Sequence, residues 1–305
     1  RKTMDVRRGT NPVQNFTYGY NNIYELTSVA GGQTHAYQHD LVGNRTNVDN
    51  IIYQPNNINQ YTQVGTQAYS YSGSGNLTND GINTYTYDEE NRLTGVPNAN
   101  ATYEYDAFNR RVKKTVGTTA TYFISDGDRE IEERDSTGVL VADYVYGDSI
   151  DEVLTMTRGG STYYYHYDGL GSVADLTNAS GTVVESYNYD VYGAPSQTST
   201  IGNPYLFTGR RLDSESGIYY YRARMYSPTI GRFLQRDSYT WAPDDERIIF
   251  KNKHNLLPSS RKPNYSLNTY LFGLTNLDQL TSLLEVLPDE QKQSAMREAV
   301  RSGYA

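Results

Sequence analysis

Tyrosine alternates with other residues in short runs that recur along much of this chain. The four clean copies read Tyr-x-Tyr-Asp and begin at Tyr85, Tyr103, Tyr165 and Tyr187. Alternate residues of a β-strand share one face, so both tyrosines of a copy are expected on the same side of a strand, where their rings contact neighbouring strands. Recurrence at intervals of about 20 residues is typical of repeat architectures. The pattern therefore predicts a repeat protein built from strands.

The aspartate of each copy is expected to end one strand and to open a turn. After Asp88 and Asp106 the sequence continues with a short polar stretch and a second alternating run, which is typical of a β-hairpin. Asp and Asn favour such turns because their side chains bond the local backbone and tolerate left-handed geometry. Weaker copies have Asp, Asn or Ser at the position of the aspartate: Asn21, Asp40, Ser72, Asp126 and Asp148.

One repeat is thus a hairpin of about 20 residues, which is too small to be stable alone. The predicted fold is a mainly β protein in which tandem hairpins stack into a coiled, shell-like antiparallel sheet. The chain has 31 Tyr against 7 Phe and 1 Trp, and tyrosine buries its ring while its hydroxyl stays polar. With only 37% hydrophobic residues, we expect a thin wall that is wet on one or both faces. A deep aliphatic core is not expected before about residue 265.

Charge and composition exclude several classes of protein. The net charge of −8 argues against general nucleic-acid binding, and the absence of cysteine excludes disulfides and thiolate metal sites. No apolar run approaches the length of about 18 residues that a membrane-spanning helix needs. We predict no cofactor. A chain that begins at Arg1 in the middle of a repeat is expected to be a fragment of a longer protein.

A different composition begins near residue 205. Residues 207–234 are denser in arginine and aromatic residues than any earlier stretch. Together with His166–Val173 and Tyr189–Gly193, this segment resembles the conserved core that ends Rhs/YD-repeat proteins, and the resemblance covers roughly residues 15–237. We divide the chain into a repeat sheet (1–200), a core-associated segment (201–238), an insertion (239–264), and a degenerate core end with a helical hairpin (265–305). Leucines at helical spacing from Leu277 to Leu287 indicate that hairpin.

The resemblance implies a β-sheet wound into a hollow shell that encloses a C-terminal toxin, as in polymorphic toxins, the C component of insecticidal Tc complexes and, more distantly, teneurins. The leading prediction is therefore a structural shell segment of a secreted or cell-surface protein, which encloses or presents a C-terminal effector. Its expected partners are that toxin cargo and upstream repeats of the same polypeptide. An alternative is an extracellular protein that self-assembles or binds glycans through an exposed sheet edge. No nucleic-acid partner and no membrane span are predicted.

A third hypothesis is a self-cleaving aspartyl protease. The resemblance implies two aspartates in Asp-Pro-x-Gly motifs, and Asp237 and Asp278 stand in their places, with Arg232 in the same segment as Asp237. Ser238 and Gln279 replace the prolines, and the cleavage sequence is absent. Such a site needs two carboxyls close enough to share a proton. The favoured alternative is that Asp237 pairs with Arg232 or Arg236, while Asp278 lies exposed or caps a helix.

Other candidate sites have simpler structural interpretations. His35 and His39 suit a strand face better than a metal site, and the Asp126 and Asp148 stretches suit turns better than calcium loops. Ser172 is expected in a turn. Arginines interleaved with tyrosines can bind anions or glycans, but we favour internal stacking and pairing with Asp213, Glu215 or Asp237. This interpretation covers the following arginines: Arg210, Arg211, Arg222, Arg224 and Arg232.

Overall fold

The computed structural model describes residues 3–8, 11–31, 34–149 and 151–237. The chain divides into two compact units, the first formed by Arg1–Ala36 and Val48–Asp237 and the second by Tyr37–Asn47 and Ser238–Ala305. The described part of the second unit is residues 37–47, which carry the hairpin turn that begins at Asp40. The insertion and the helical hairpin predicted at 239–305 lie outside the described residues, as does Asp278.

Strands make up most of the described chain. The first ten are β1 (Thr3–Arg8), β2 (Asn11–Tyr20), β3 (Leu26–Gly31), β4 (His35–His39), β5 (Arg45–Val48), β6 (Ile51–Pro55), β7 (Tyr61–Val64), β8 (Gln67–Ala68), β9 (Ser70–Tyr71) and β10 (Leu77–Asn79). Then follow β11 (Thr86–Tyr87), β12 (Leu93–Val96), β13 (Ala101–Tyr105), β14 (Arg111–Val116), β15 (Thr119–Asp126), β16 (Arg129–Arg134), β17 (Leu140–Tyr146), β18 (Val153–Arg158), β19 (Ser161–Tyr167), β20 (Val173–Thr177) and β21 (Val183–Ser186). The last four are β22 (Arg211–Asp213), β23 (Ile218–Tyr221), β24 (Arg224–Ser227) and β25 (Arg232–Phe233). Two short 3₁₀ helices, Pro97–Ala99 and Phe207–Gly209, interrupt them.

The strands pair antiparallel with their neighbours in sequence. Strands β1 to β4 pair in order, as do β6 to β8, and β9 pairs with β10. Strands β11 to β21 form one sheet in sequence order, and β22 to β25 form a separate sheet of four strands. The predicted mainly β fold of tandem antiparallel hairpins is therefore confirmed.

One turn geometry recurs at most hairpins. In the turn at Asp88, the carboxylate accepts hydrogen bonds from the amides of Glu90 and Arg92, and Asn91 adopts a left-handed φ of 63°. In every copy, the residue three positions after the one that opens the turn has a left-handed backbone, which is why Gly or Asn usually stands there. Within the described ranges this geometry begins at Asn21, Asp40, Asn56, Ser72, Asp88, Asp106, Asp135, Asp168, Asn178 and Asp190.

Two predicted copies of the turn differ. Asp126 pairs directly with Arg129 across a two-residue turn, which the left-handed Gly127 permits at a φ of 57°. At Asp148 the turn is bridged from Gly147 to Glu152, and the Glu152 amide donates to the Ser149 carbonyl rather than to the aspartate side chain. These two hairpins have the paired strands of the repeat, but their turns have a different geometry.

The second tyrosine of the repeat links one hairpin to the one before it. The Tyr167 hydroxyl donates to the Val153 carbonyl at 2.7 Å, and the Tyr105 hydroxyl donates to the Leu93 carbonyl at 2.8 Å. The same bond recurs from Tyr87 to Leu77, from Tyr146 to Glu130 and from Tyr189 to Val173. The hydroxyl is thus part of the wall, which explains why the repeat uses tyrosine rather than phenylalanine.

Replacing Tyr167 by phenylalanine is expected to destabilise the β18–β19 hairpin by about 1 kcal/mol, because one buried carbonyl loses its side-chain donor. Native-state hydrogen exchange of peptides from these strands measures that loss. Tyr164→Phe is the matched control on β19, since the Tyr164 side chain is exposed. Equal protection in the two variants would show that the hydroxyl bond contributes nothing.

Residues 205–234 pack onto one face of the hairpin sheet. One buried cluster joins Tyr144, Met156 and Leu176 to Leu206 and Tyr219. A second cluster combines residues of the hairpins with residues of the arginine-rich segment: Leu77, Leu93, Val96, Tyr103, Ile218, Tyr220, Met225 and Leu234. Aliphatic side chains are therefore buried well before residue 265. The expectation of a wall without an aliphatic core was wrong here, because the arginine-rich segment supplies the covering layer.

Candidate functional site

A buried ion pair joins the hairpin sheet to the arginine-rich segment. Arg111 opens β14 and Asp213 ends β22, and the Arg111 Nη1 atom lies 2.6 Å from Asp213 Oδ2. Both side chains have no exposed surface. Lys114 Nζ lies 3.1 Å from the other carboxylate oxygen of Asp213. The pair connects residues that are 102 positions apart in the sequence, so it can form only when the two segments pack together.

Aromatic rings surround the Arg111 guanidinium. Its central carbon lies 4.3 Å from the ring centre of Tyr220, 5.0 Å from that of Phe123 and 5.3 Å from that of Tyr103. The Tyr220 hydroxyl also accepts a hydrogen bond from the Arg111 amide at 3.0 Å. A desolvated cation over ring faces gains cation–π attraction. The rings therefore stabilise a charge that has lost its water.

A second ion-pair group lies beside the first. Arg211 opens β22, and its Nε atom is 2.5 Å from Glu130 Oε2 while its Nη1 atom is 2.7 Å from Glu133 Oε1. Glu133 also binds Arg158 through its other oxygen and accepts a hydrogen bond from the Tyr144 hydroxyl at 2.6 Å. Both glutamates lie on β16, so β22 is fixed to the sheet at two places.

The electrostatics of these pairs favour the charged state. Burial alone would raise the pKa of Glu133, but Arg211 and Arg158 outweigh it and lower that pKa from 4.5 to about 2. Burial alone would lower the pKa of Arg111, but Asp213 outweighs it and the pKa is raised. The pKa of Asp213 is lowered, since Arg111 and Lys114 outweigh its burial. Groups held this firmly in one state suit a structural role better than proton transfer at neutral pH.

The five arginines singled out from the sequence all contact internal groups. Arg211 belongs to the cluster above, and Arg210 and Arg222 both pair with Asp151. Arg224 lies 3.8 Å from the ring centre of Phe233. The predicted partners were wrong in part, because Asp213 and Glu215 pair with residues of β14 rather than with these arginines.

The residues of the protease hypothesis are only partly described. Asp237 pairs with Arg224 at 3.0 Å, not with Arg232 or Arg236 as expected, and its side chain is 55% exposed. Arg232 instead lies over the Tyr61 ring at 3.8 Å and donates to the Asn59 carbonyl. Asp278 lies outside the described residues. The pairing of Asp237 with Asp278 in a catalytic site stays a prediction.

The remaining candidates are local features. His35 pairs with Asp49, and Ser172 lies in the Asp168 turn, where its Oγ accepts a hydrogen bond from the Thr208 amide at 3.0 Å. Within residues 3–237, apart from the short gaps, no group of three His, Asp or Glu side chains is arranged to hold a metal ion. The described part of the chain also contains no helix long and apolar enough to cross a membrane.

Sequence reasoning missed Arg111, Glu130 and Glu133. A signal for the first was present, because Arg111 is the fifth residue after the turn aspartate Asp106. The equivalent positions hold buried aliphatic residues in three other repeats: Leu77, Leu93 and Val173. A charge at an aliphatic position of a repeat indicates a partner supplied from elsewhere in the chain.

Known proteins are similar to this chain in sequence or in fold. The family described as Teneurin YD-shell matches residues 2–255. The tRNA3(Ser)-specific nuclease WapA of Bacillus spizizenii is 35% identical over 239 residues, which are 72% of this chain and 10% of the nuclease. The double-stranded DNA deaminase toxin A of Burkholderia cenocepacia is 25% identical over 169 residues, covering 44% of this chain and 12% of the toxin. The chain thus spans about a tenth of the length of such relatives.

A solved structure supports the fold. The crystal structure of TcdB2-TccC3 without the hypervariable C-terminal region aligns with a TM-score of 0.52 at 15% identity, over 77% of this chain and 16% of that one. A second structure, TcdB2-TccC3-Cdc42, aligns with a TM-score of 0.51 at 14% identity, over 74% of this chain and 16% of that one. At such identity the likeness concerns the fold alone.

Proposed function

Because the chain belongs to the Teneurin YD-shell family, we propose that it is a structural segment of a shell that encloses an effector carried by the same polypeptide. The observation that carries this proposal is the buried Arg111–Asp213 pair. It anchors the arginine-rich segment to the hairpin sheet and uses that segment's charges internally. In this proposal the arginine-rich segment is a fixed inner layer of the shell wall. The protein as a whole is secreted or displayed at the cell surface.

The relatives support a division between wall and effector. Two of them are named for different activities, one a tRNA nuclease and the other a DNA deaminase toxin, yet both resemble this chain over part of their length. A stretch shared by proteins of different activity is a poor source of either activity. The Tc structure named for lacking a hypervariable C-terminal region is consistent with a constant wall and a variable effector.

Protease protection tests the enclosure. In the full-length gene product, the region after the shell should be cut at least about tenfold more slowly by a general protease than the same region expressed alone, because an enclosed chain is reached only after opening. Asp213→Ala should remove much of this protection, while Arg134→Ala should keep it, since Arg134 pairs with Glu132 at the surface. Equal cleavage of the enclosed and isolated regions would show that the effector is presented outside the shell.

A further inference from the structure

A cavity of about 320 Å³ opens beside the buried ion pairs. Its walls come from the hairpin turn at Asp106, the turn between β15 and β16, and the segment from Gly209 to Ala223, which contains β22 and β23. Four aromatic side chains line it: Phe108, Tyr146, Tyr205 and Tyr220. The volume equals roughly ten water molecules at ~30 Å³ each, which is the size of a small organic ligand.

Two arginines of this cavity share one carboxylate. Arg210 Nη2 lies 2.9 Å from Asp151 Oδ2, and Arg222 Nη2 lies 2.8 Å from Asp151 Oδ1. All three side chains are partly buried, with between 19% and 27% of their surface exposed. Gly209 makes this approach possible, because a Cβ there would lie 2.6 Å from the Asp151 carbonyl oxygen. The chain therefore brings two guanidiniums to one partner.

The charges of this pair are incompletely compensated. Burial lowers the pKa of Arg210, and repulsion from Arg222 adds to that effect, so Asp151 does not restore the ordinary value. In the neighbouring cluster the opposite holds, since carboxylates outweigh burial and raise the pKa of Arg211. Two other carboxylates line the cavity, but Glu130 pairs with Arg211, and Asp128 is exposed, so water and salt screen its charge. An anion bound beside Asp151 would therefore stabilise the charged state of both arginines.

The backbone at Arg222 points to the same site. Arg222 has a left-handed φ of 60°, which residues other than Gly, Asn and Asp adopt infrequently. Its Nε atom donates to the Asp128 carbonyl at 2.9 Å, so the guanidinium is held in a fixed direction. Glycine or asparagine would fit this turn with less strain. An arginine kept in an unfavourable conformation indicates that its side chain is needed.

We infer that this cavity binds a small oxyanion, a carboxylate or a phosphate group, through the paired guanidiniums of Arg210 and Arg222. Arginine suits this task because its planar fork donates two parallel hydrogen bonds to such groups. The aromatic walls would contact an organic body attached to the anion. The inference goes beyond the proposed wall function, because that function rests on the Arg111–Asp213 pair, whereas the anion would be held by Arg210 and Arg222.

Calorimetric titration of the full-length product with benzoate and with inorganic phosphate tests the inference. We expect saturable binding of at least one probe with a Kd of about 1 mM or lower. Tighter binding of benzoate would identify an organic carboxylate, and tighter binding of phosphate would identify a phosphate group. Arg222→Asn should weaken binding about tenfold or more, because a charge-assisted bond is lost while the left-handed turn is kept.

Two further variants make the result specific. Arg210→Gln should weaken binding in the same way, and Arg134→Gln should leave it unchanged, since Arg134 lies outside the cavity lining. A thermal midpoint of Arg222→Asn at or above that of the unchanged protein would show that its loss of binding is not a loss of fold. The inference is overturned if neither probe binds saturably, or if both cavity variants bind as well as the unchanged protein.

Discussion

Replacing Asp213 by alanine is expected to lower the free energy of opening of the β22–β25 sheet by about 3–5 kcal/mol, because it leaves the buried Arg111 charge without its partner. The two side chains have no exposed surface, so water cannot replace the lost carboxylate. Lys114 also loses one of its two carboxylates, and it keeps Glu215. Hydrogen exchange of peptides from 211–227 measures the local opening free energy.

A double-mutant cycle separates the pair from its surroundings. Arg111→Met alone should also be strongly destabilising, whereas Arg111→Met combined with Asp213→Leu should recover much of the loss, since two apolar side chains leave no unpaired charge on either residue. Arg134→Ala is the control, because its ion pair with Glu132 is partly exposed to water. Its loss is expected to lower the opening free energy by less than about 1 kcal/mol. An Asp213→Ala effect as small as that of the control would mean that the pair does not anchor the segment.

The hairpins could be predicted because their chemistry is local. An Asp or Asn followed by a left-handed residue three positions later contains the whole turn within five residues, as at Asp88 and Asp168. Two of the missed turns lack both tyrosines before them. Asp135 follows Glu132 and Arg134, and Asn178 follows Asp175 and Thr177 in the equivalent places. The side-chain oxygen and the left-handed glycine form the turn without any tyrosine.

The ion-pair cluster could not be assigned in the same way. Proximity in sequence favours Asp213 and Glu215 as partners of Arg211, but both carboxylates pair with residues of β14 instead. The partners of Asp213 and Arg211 come from β14 and β16, about 80 to 100 positions away. Only tertiary packing decides such pairs. A sequence can show that Arg111 is out of place among aliphatic positions, but not which carboxylate will meet it.

Acidification is expected to weaken the same anchor through Glu133. The pKa of Glu133 is lowered to about 2 in the folded protein, against 4.5 for an ordinary glutamate. The unfolded state therefore binds the proton first, so the stabilisation is fully present above pH 4.5 and is lost as the pH falls toward 2. The difference corresponds to about 3 kcal/mol, and the lowered pKa of Asp213 acts in the same direction.

Thermal melting followed by the near-ultraviolet circular dichroism of tyrosine, between pH 7 and pH 2, measures this loss. In Glu133→Gln the melting temperature should already be lower at pH 7, because Arg211 and Arg158 lose a shared carboxylate. It should then fall less steeply with acid, since the titrating group has been removed. Glu132→Gln is the matched control on the same strand, because Glu132 pairs with Arg134 at the surface. Parallel pH profiles for the unchanged protein and Glu133→Gln would show that acid weakens the shell through other carboxylates.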